Sequence, residues 1–378
     1  MGNDEIMRYY IWLQKILGAG NSCAQDILSV FKSAENIYKS EFNELENSGL
    51  FSANELKKIK TTSLSYSDNI IRRCKELGIK ILCFNDKVYP KCLRNFPDFP
   101  LVLYFRGDMP DFEETPSICI VGPRKVSDYG KKAAYSLGLR LSKAGFIIVS
   151  GGAEGSDFYS HTGALKGGSK TVLFMGSGLN VNYPPRNSEL RKSVENQGCI
   201  ISEYPPDTPA FGRNFPIRNR LMSAVSLGTV VIEGDKKSGS LITAKWALEQ
   251  GKDVFVIPGS PGNINYSGSN EFLRDGAKPL LDASDIFNEY ISLFPDKINI
   301  ERAFEKTSQG KNKKSKKILD DTLSKEAKIL YNYLDKPEFY PEYFKDKGLS
   351  DDDILSALIE LEISGIIKSA PGGKYVLK

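Results

Sequence analysis

Six short apolar runs rich in β-branched residues recur between residues 117 and 259, and helical stretches separate them. The runs lie at 118–121, 146–150, 171–175, 199–203, 229–233 and 254–257, and four of them stop at a glycine: Gly122, Gly151, Gly176 and Gly234. Strands without polar alternation are covered on both faces, and the stretches 129–144 and 241–250 have helical length. The alternation therefore predicts an α/β fold, a Rossmann-like parallel sheet with helices on both faces. The glycine loops fall at the carboxyl ends of the strands, where such sheets hold ligands.

At 378 residues the chain exceeds one ordinary core. Residues 1–75 read as short amphipathic helices. Ile16-Leu17-Gly18-Ala19-Gly20 precedes a run with Ala24, Ile27, Leu28 and Phe31 on one face, the pattern of a helix-hairpin-helix or SAM-like domain. Its glycine turn either offers N–H groups to a phosphate or simply caps one helix and starts the next, and the lack of a basic cluster favours capping. An extended Rossmann-like domain is expected over 76–295. The run KTSQGKNKKSKK at 306–317 holds six lysines and no acid or apolar residue, which marks a self-repelling linker over 296–321. Beyond it, helices expected at 324–335, 340–346 and 350–364 and a small hairpin closed by Pro371-Gly372-Gly373 spell a winged helix over 322–378.

Composition excludes several classes. No apolar run is long enough to span a bilayer, and the N-terminus lacks the pattern of a secretory leader. Six scattered cysteines without a CxxC pair fit a reducing, cytoplasmic setting. The net charge of +4 permits a local basic patch without requiring one. After the first run stands Gly122-Pro123-Arg124, not a dinucleotide fingerprint, and Pro123 lacks an N–H that a pyrophosphate would use. Lys170 leads into a strand, unlike a P-loop lysine. Neither NAD nor ATP is expected, and no cofactor. His161 stands four residues after Asp157 and reads as a structural histidine beside a helix-capping aspartate. No catalytic set and no metal site are expected.

The densest chemistry lies at 211–220, where FGRNFPIRNR carries three arginines, two asparagines and two phenylalanines and no acid. Cations suit phosphates and a phenyl face suits an unpaired base, so Arg213, Phe215, Arg218, Asn219 and Arg220 point to single-stranded nucleic acid. A second reading pairs Arg218 and Arg220 with Glu203 and Glu233 at strand ends. Gly122, Arg124 and Lys170 beside strand ends extend the candidate patch. Ser240 and Lys245, where SGSLITAK opens a helix, add an anion-binding helix start.

These motifs together resemble the DNA-processing protein A (DprA/Smf) family. The resemblance rests on VGPRKVSDYG at 121–130, VSGGAEGSD at 149–157, HTGAL at 161–165, Tyr183-Pro184, SEYPP at 202–206, FPIRNR at 215–220, SGSLITA at 238–244 and VFVIPG at 254–259. Pro123 replaces the family's usual serine, and Gly152 and Ser156 stand where leucine and isoleucine are usual. The resemblance implies a non-enzymatic cytoplasmic protein that binds single-stranded DNA and loads the RecA recombinase during natural transformation. It places Gly122, Arg124 and the run from Phe215 to Arg220 in the DNA groove. It also implies a homodimer formed through the Rossmann-like domain. Trp246, Phe272, Leu273 and Leu280 are apolar residues outside the phosphate loops and are either interface or core. The competing enzyme, a related nucleoside-monophosphate hydrolase, needs a carboxylate in the SGSLITA turn, where the helix start offers Thr243, Ala244 and Lys245 and Glu233 is the acid on the strand side. A duplex-binding regulator is disfavoured by Asp351, Asp352, Asp353, Glu360 and Glu362 on the would-be recognition helix.

Overall fold

The computed structural model describes residues 3–305, 324–334, 338–363, 366–370 and 373–377. It divides into two units, one ending at Glu305 and one beyond it.

The first unit is built on a nine-stranded sheet. Its strands are β1 (Lys80–Cys83), β2 (Val102–Gly107), β3 (Ser117–Val121), β4 (Ile147–Ser150), β5 (Thr171–Met175), β6 (Cys199–Ser202), β7 (Gly228–Val231), β8 (Asp253–Val256) and β9 (Lys278–Pro279). They lie in the order β1-β2-β6-β5-β4-β3-β7-β8-β9. From β6 to β9 every pair is parallel, while β1 and β2 add an antiparallel edge. Each expected apolar run became a strand because both its faces are buried. Ile118 and Ile120 enter one core with Leu137 and Ala164, whereas Cys119 and Val121 enter another with Leu221 and Ala244. Helices Asp128–Lys143 and Ser156–Gly167 thus cover one face, and Asn214–Ala224 and Ser240–Glu249 the other.

The six N-terminal helices, from Asn3–Leu17 to Ser65–Glu76, do not form a separate unit as the boundary at 75 implied. Their apolar stripe, with Trp12, Leu13, Ile16 and Ile27, packs onto Val102, Tyr104, Leu173 and Ile200 of the sheet. Gln14 fastens the first helix. Its Oε1 accepts from Val102 N (2.6 Å), and its Nε2 donates to Glu203 O (2.6 Å) and Val102 O (3.2 Å). In the GxG turn both glycine N–H groups are engaged, Gly18 N donating to Gln14 O (2.8 Å) and Gly20 N to Glu203 Oε1 (3.4 Å). At Gly20 a Cβ would lie 2.9 Å from Ile217 Cγ2, so only glycine fits at this φ of +73°.

Glu203, just beyond β6, also receives Arg220. Its carboxylate accepts from Nη1 and Nη2 at 2.9 Å each, and Asp98 Oδ2 lies 3.0 Å from Arg220 Nε. All of this is buried apart from the edge of Asp98. The first ten residues of the linker expected over 296–321 belong to the first unit. Ile298 and Ala303 are core residues, helix Ile300–Phe304 carries the second, and Phe304 packs edge-on against Phe287. The lysine run itself lies outside the described residues.

In the second unit, helix Lys325–Asn332, strand Glu338–Phe339, the 3₁₀ turn Pro341–Lys347, helix Asp351–Ile363 and the hairpin Ile367–Ala370/Lys374–Leu377 surround Leu330, Phe344, Leu358 and Leu361. The middle expected helix is thus a 3₁₀ turn preceded by a strand.

Removing one partner of a buried charge pair leaves the other charge uncompensated, at a cost of about 3–5 kcal/mol. Glu203→Ala should lower unfolding stability by about that amount in urea titrations. A loss below about 1 kcal/mol, the range of an exposed pair, would show that the pair does not hold the fold.

Candidate nucleic-acid interface

The chain steps from β3 to β4 on one side and returns to β7 on the other, so the carboxyl ends of β3 and β7 flank a crevice. A cavity of about 710 Å³ opens there. The loops after β3, β4, β5 and β7 and the first turns of Asn214–Ala224 and Ser240–Glu249 line it.

Gly122 begins the first of these loops. A Cβ there would meet Ser156 Oγ at 2.2 Å, so the glycine is required by the neighbouring loop. Ser156 N donates to Pro123 O (3.3 Å), so this loop is held through the proline carbonyl. Arg124 is exposed. Its Nη1 donates to Tyr183 Oη (3.4 Å), and no ion pair engages it among the described residues. The half-buried Phe215 ring tilts against Tyr183, with centroids 5.4 Å apart, and the guanidiniums of Arg124 and Arg218 lie 5.8 and 5.9 Å from its centroid.

Beneath the ring the chemistry is structural. Arg218 is buried and Nη1 donates to Gly151 O (2.9 Å) and Phe174 O, while Nε donates to Asn219 Oδ1 (3.2 Å). Burial pulls its guanidinium down to about 10, against the opposing pull of Asp157. The Asp157 carboxyl is raised by burial, partly offset by Arg218 and by the N–H of Ala153 at 3.2 Å. His161 shares a 2.7 Å hydrogen bond with Thr171 Oγ1, and burial, with Arg218 nearby, presses it down to about 3. A ring so reluctant to take a proton is no general base at neutral pH. Glu233 is fully buried and accepts from Ser127 N and Oγ at 2.7 Å each, which fixes the start of helix Asp128–Lys143.

Of the candidate residues, Gly122, Arg124, Phe215, Arg218, Asn219 and Ser240 come together around this cavity. Others do not. Arg220 is spent on Glu203 and Asp98, the ion-pair reading of its sequence context. Lys170 precedes β5, so it stands at the amino edge of the sheet and pairs with Asp108. Lys245 is exposed in the second turn of its helix and lies off the cavity. Arg213 is exposed over the Phe211 ring (5.4 Å), outside this cavity. Leu280 is core, Phe272 and Leu273 pack partly against the core, and Trp246 is half-buried. Residue-by-residue reading missed Tyr183, Lys237 and Thr243 as wall residues. Only the Tyr183-Pro184 motif signalled the first. Acids share the wall, where Glu154, Asp157 and Asp235 stand with Arg124, Arg218 and Lys237, and Arg124 and Lys237 are the exposed cations among these. No helix among the described residues is long and apolar enough to cross a membrane.

Residues 80–291 match the family described as DNA recombination-mediator protein A. DNA processing protein DprA of Bacillus subtilis is 37% identical over 220 residues, which span 58% of this chain and 74% of that protein. Among solved structures, DNA processing protein A from Streptococcus pneumoniae aligns with a TM-score of 0.65 at 29% identity, over 75% of this chain and 97% of that one. DNA processing protein A from Helicobacter pylori, described for its single-stranded DNA binding mode, aligns with a TM-score of 0.52 at 31% identity. That alignment covers 57% of this chain and 96% of the Helicobacter chain.

The depressed His161 has a measurable consequence. Unfolded chains protonate this histidine below about 6.5, whereas the folded chain keeps it neutral to about 3. The unfolded state therefore binds the extra proton between those values, and stability is lost as pH falls, by up to about 1.4 kcal/mol per pH unit. His161→Gln removes this contribution, so the stability gap between native chain and variant should shrink from pH 7 to pH 4. A gap that stays constant would contradict a neutral buried ring.

Proposed function

The chain belongs to the DNA recombination-mediator protein A family, the DprA/Smf group, and we propose that it binds single-stranded DNA across the carboxyl-end cavity. The carrying observation is the exposed Arg124 guanidinium, without an ion-pair partner among the described residues, 5.8 Å from the centroid of the half-buried Phe215 ring. A cation beside an aromatic face serves a phosphate and an unpaired base together, which duplex DNA does not offer. Asn219 and Ser240 add polar groups to the wall, and the helix starting at Ser240 has no side-chain cap on its first N–H groups. The role is binding and hand-over, not catalysis. Glu233, the acid on the strand side of SGSLITA, is buried and committed to Ser127, which weighs against the nucleoside-monophosphate hydrolase.

The family resemblance extends the proposal to RecA loading by a cytoplasmic homodimer. Trp246, Phe272 and Leu273 remain candidates for the pairing surface, since they are only partly buried. The N-terminal helices correspond to a SAM-like module laid against the sheet, and the C-terminal unit to a winged helix whose long helix begins with three aspartates. That acidic start disfavours duplex contact by this helix.

Binding of labelled oligothymidine should exceed binding of the matching duplex, with log affinity falling against log salt by about 0.7 per phosphate neutralised. Arg124→Ala should weaken binding and lower that slope by about one contact. Phe215→Ala should cost on the order of 1–3 kcal/mol with little change in slope. Sedimentation of the same preparation at micromolar concentration should show a dimer that speeds RecA assembly on long single strands. Equal affinity for duplex and single strand would overturn the binding proposal, and a monomer with full loading activity would overturn the pairing.

A further inference from the structure

A second cavity, of about 370 Å³, lies where the N-terminal helices meet the start of helix Asn214–Ala224. We infer that it takes one base of the bound single strand, a neighbour of the nucleotide at Phe215. The inference rests on the single-strand reading above and adds a second base site on the opposite flank of the same helix.

The placement follows from helical geometry. Successive residues of an α-helix point about 100° apart. Asn214 and Ile217 therefore line the second cavity, while Phe215, Arg218, Asn219 and Met222 line the first. One helix end separates the two.

The walls of the second cavity include Tyr66, Tyr104 and Phe211. Among these aromatic groups sits the side-chain amide of Asn214, which is 5% exposed and whose Nδ2 has no hydrogen-bond partner. Leaving a buried donor unmatched is unfavourable, and a guest carrying a carbonyl oxygen would satisfy it. Thymine carries two, and cytosine and guanine one each.

At the mouth the character changes. Phe211 is 47% exposed, with the Arg213 guanidinium 5.4 Å from its ring, and the Lys15 ammonium lies 5.1 Å from the ring of Tyr66. Neither cation has a carboxylate partner in an ion pair among the described residues, and both are exposed. Glu203 also contributes to the wall, but its carboxylate is held by Arg220 and by Gly20 N–H. An aromatic interior, a buried amide donor and a cationic rim fit a base inside with its flanking phosphates outside.

The test is abasic scanning. A short oligothymidine is prepared with a single abasic site at each position in turn, and its affinity is measured with the full chain. The native chain should be sensitive at more than one position. Phe211→Ala should bind the intact oligothymidine about fivefold or more weakly, the lower end expected for loss of one stacked base. It should also become indifferent to the abasic site at one position while staying sensitive at the position read by Phe215. Asn214→Leu, checked for an unchanged melting temperature, should lose sensitivity at the same position as Phe211→Ala. The inference is overturned if Phe211→Ala binds as the native chain does, or if its loss is equal for every abasic position. A native chain that binds no oligothymidine would overturn the broader single-strand reading as well.

Discussion

The buried contact between Arg220 and Glu203 joins four parts of the chain. Arg220 comes from the helix that borders both cavities, Glu203 from the end of β6, Asp98 from the segment before β2, and Gly20 from the N-terminal turn. Charges so deeply withdrawn from water are tolerable only when fully matched. Here the guanidinium meets two carboxylates as well as the carbonyls of Ile217 and Asp98. The match requires the helix Asn214–Ala224 to take one position over the sheet. That position sets Phe215 beside Tyr183 and leaves Arg124 facing solvent.

A division of labour among three arginines follows. Arg220 holds the helix, and Arg218 ties the carbonyls at the ends of β4 and β5 to the cavity floor. Both are buried and bonded to protein partners. Arg124, on a loop held to the next loop by Ser156 and the Pro123 carbonyl, is the one of the three with charge to offer a ligand.

How much of this was legible depends on what kind of information each residue carries. The central strands were read to within one or two residues, since an apolar run flanked by glycine has few other uses. The antiparallel edge strands β1 and β2 lie outside the six expected runs, since neither is bounded by the alternation with helices that marks the parallel core. The N-terminal stripe showed which residues are buried but not against what, so a helical layer of the sheet read as a domain of its own. The FPIRNR segment announced concentrated arginine chemistry, yet residue type alone could not separate Arg220 in an ion pair from an arginine awaiting phosphate. Glu203 was the correct partner, and only its distance decides the matter. Lys170 was misplaced for a simpler reason. A residue beside a strand occupies one edge of a parallel sheet if it precedes the strand and the opposite edge if it follows. Leu280 carries no signal that separates core from interface.

The central claim is that the carboxyl edge of this sheet, organised around the helix that Arg220 anchors, is the surface that meets single-stranded DNA. Hydrogen exchange of the full chain with and without oligothymidine tests it most directly. The amides after β3 and β4 and those in the first turns of Asn214–Ala224 should slow on binding, while those around Lys170 at the opposite edge keep their rates. Protection confined to that opposite edge or to the C-terminal unit, with none at the glycine loops, would contradict the account.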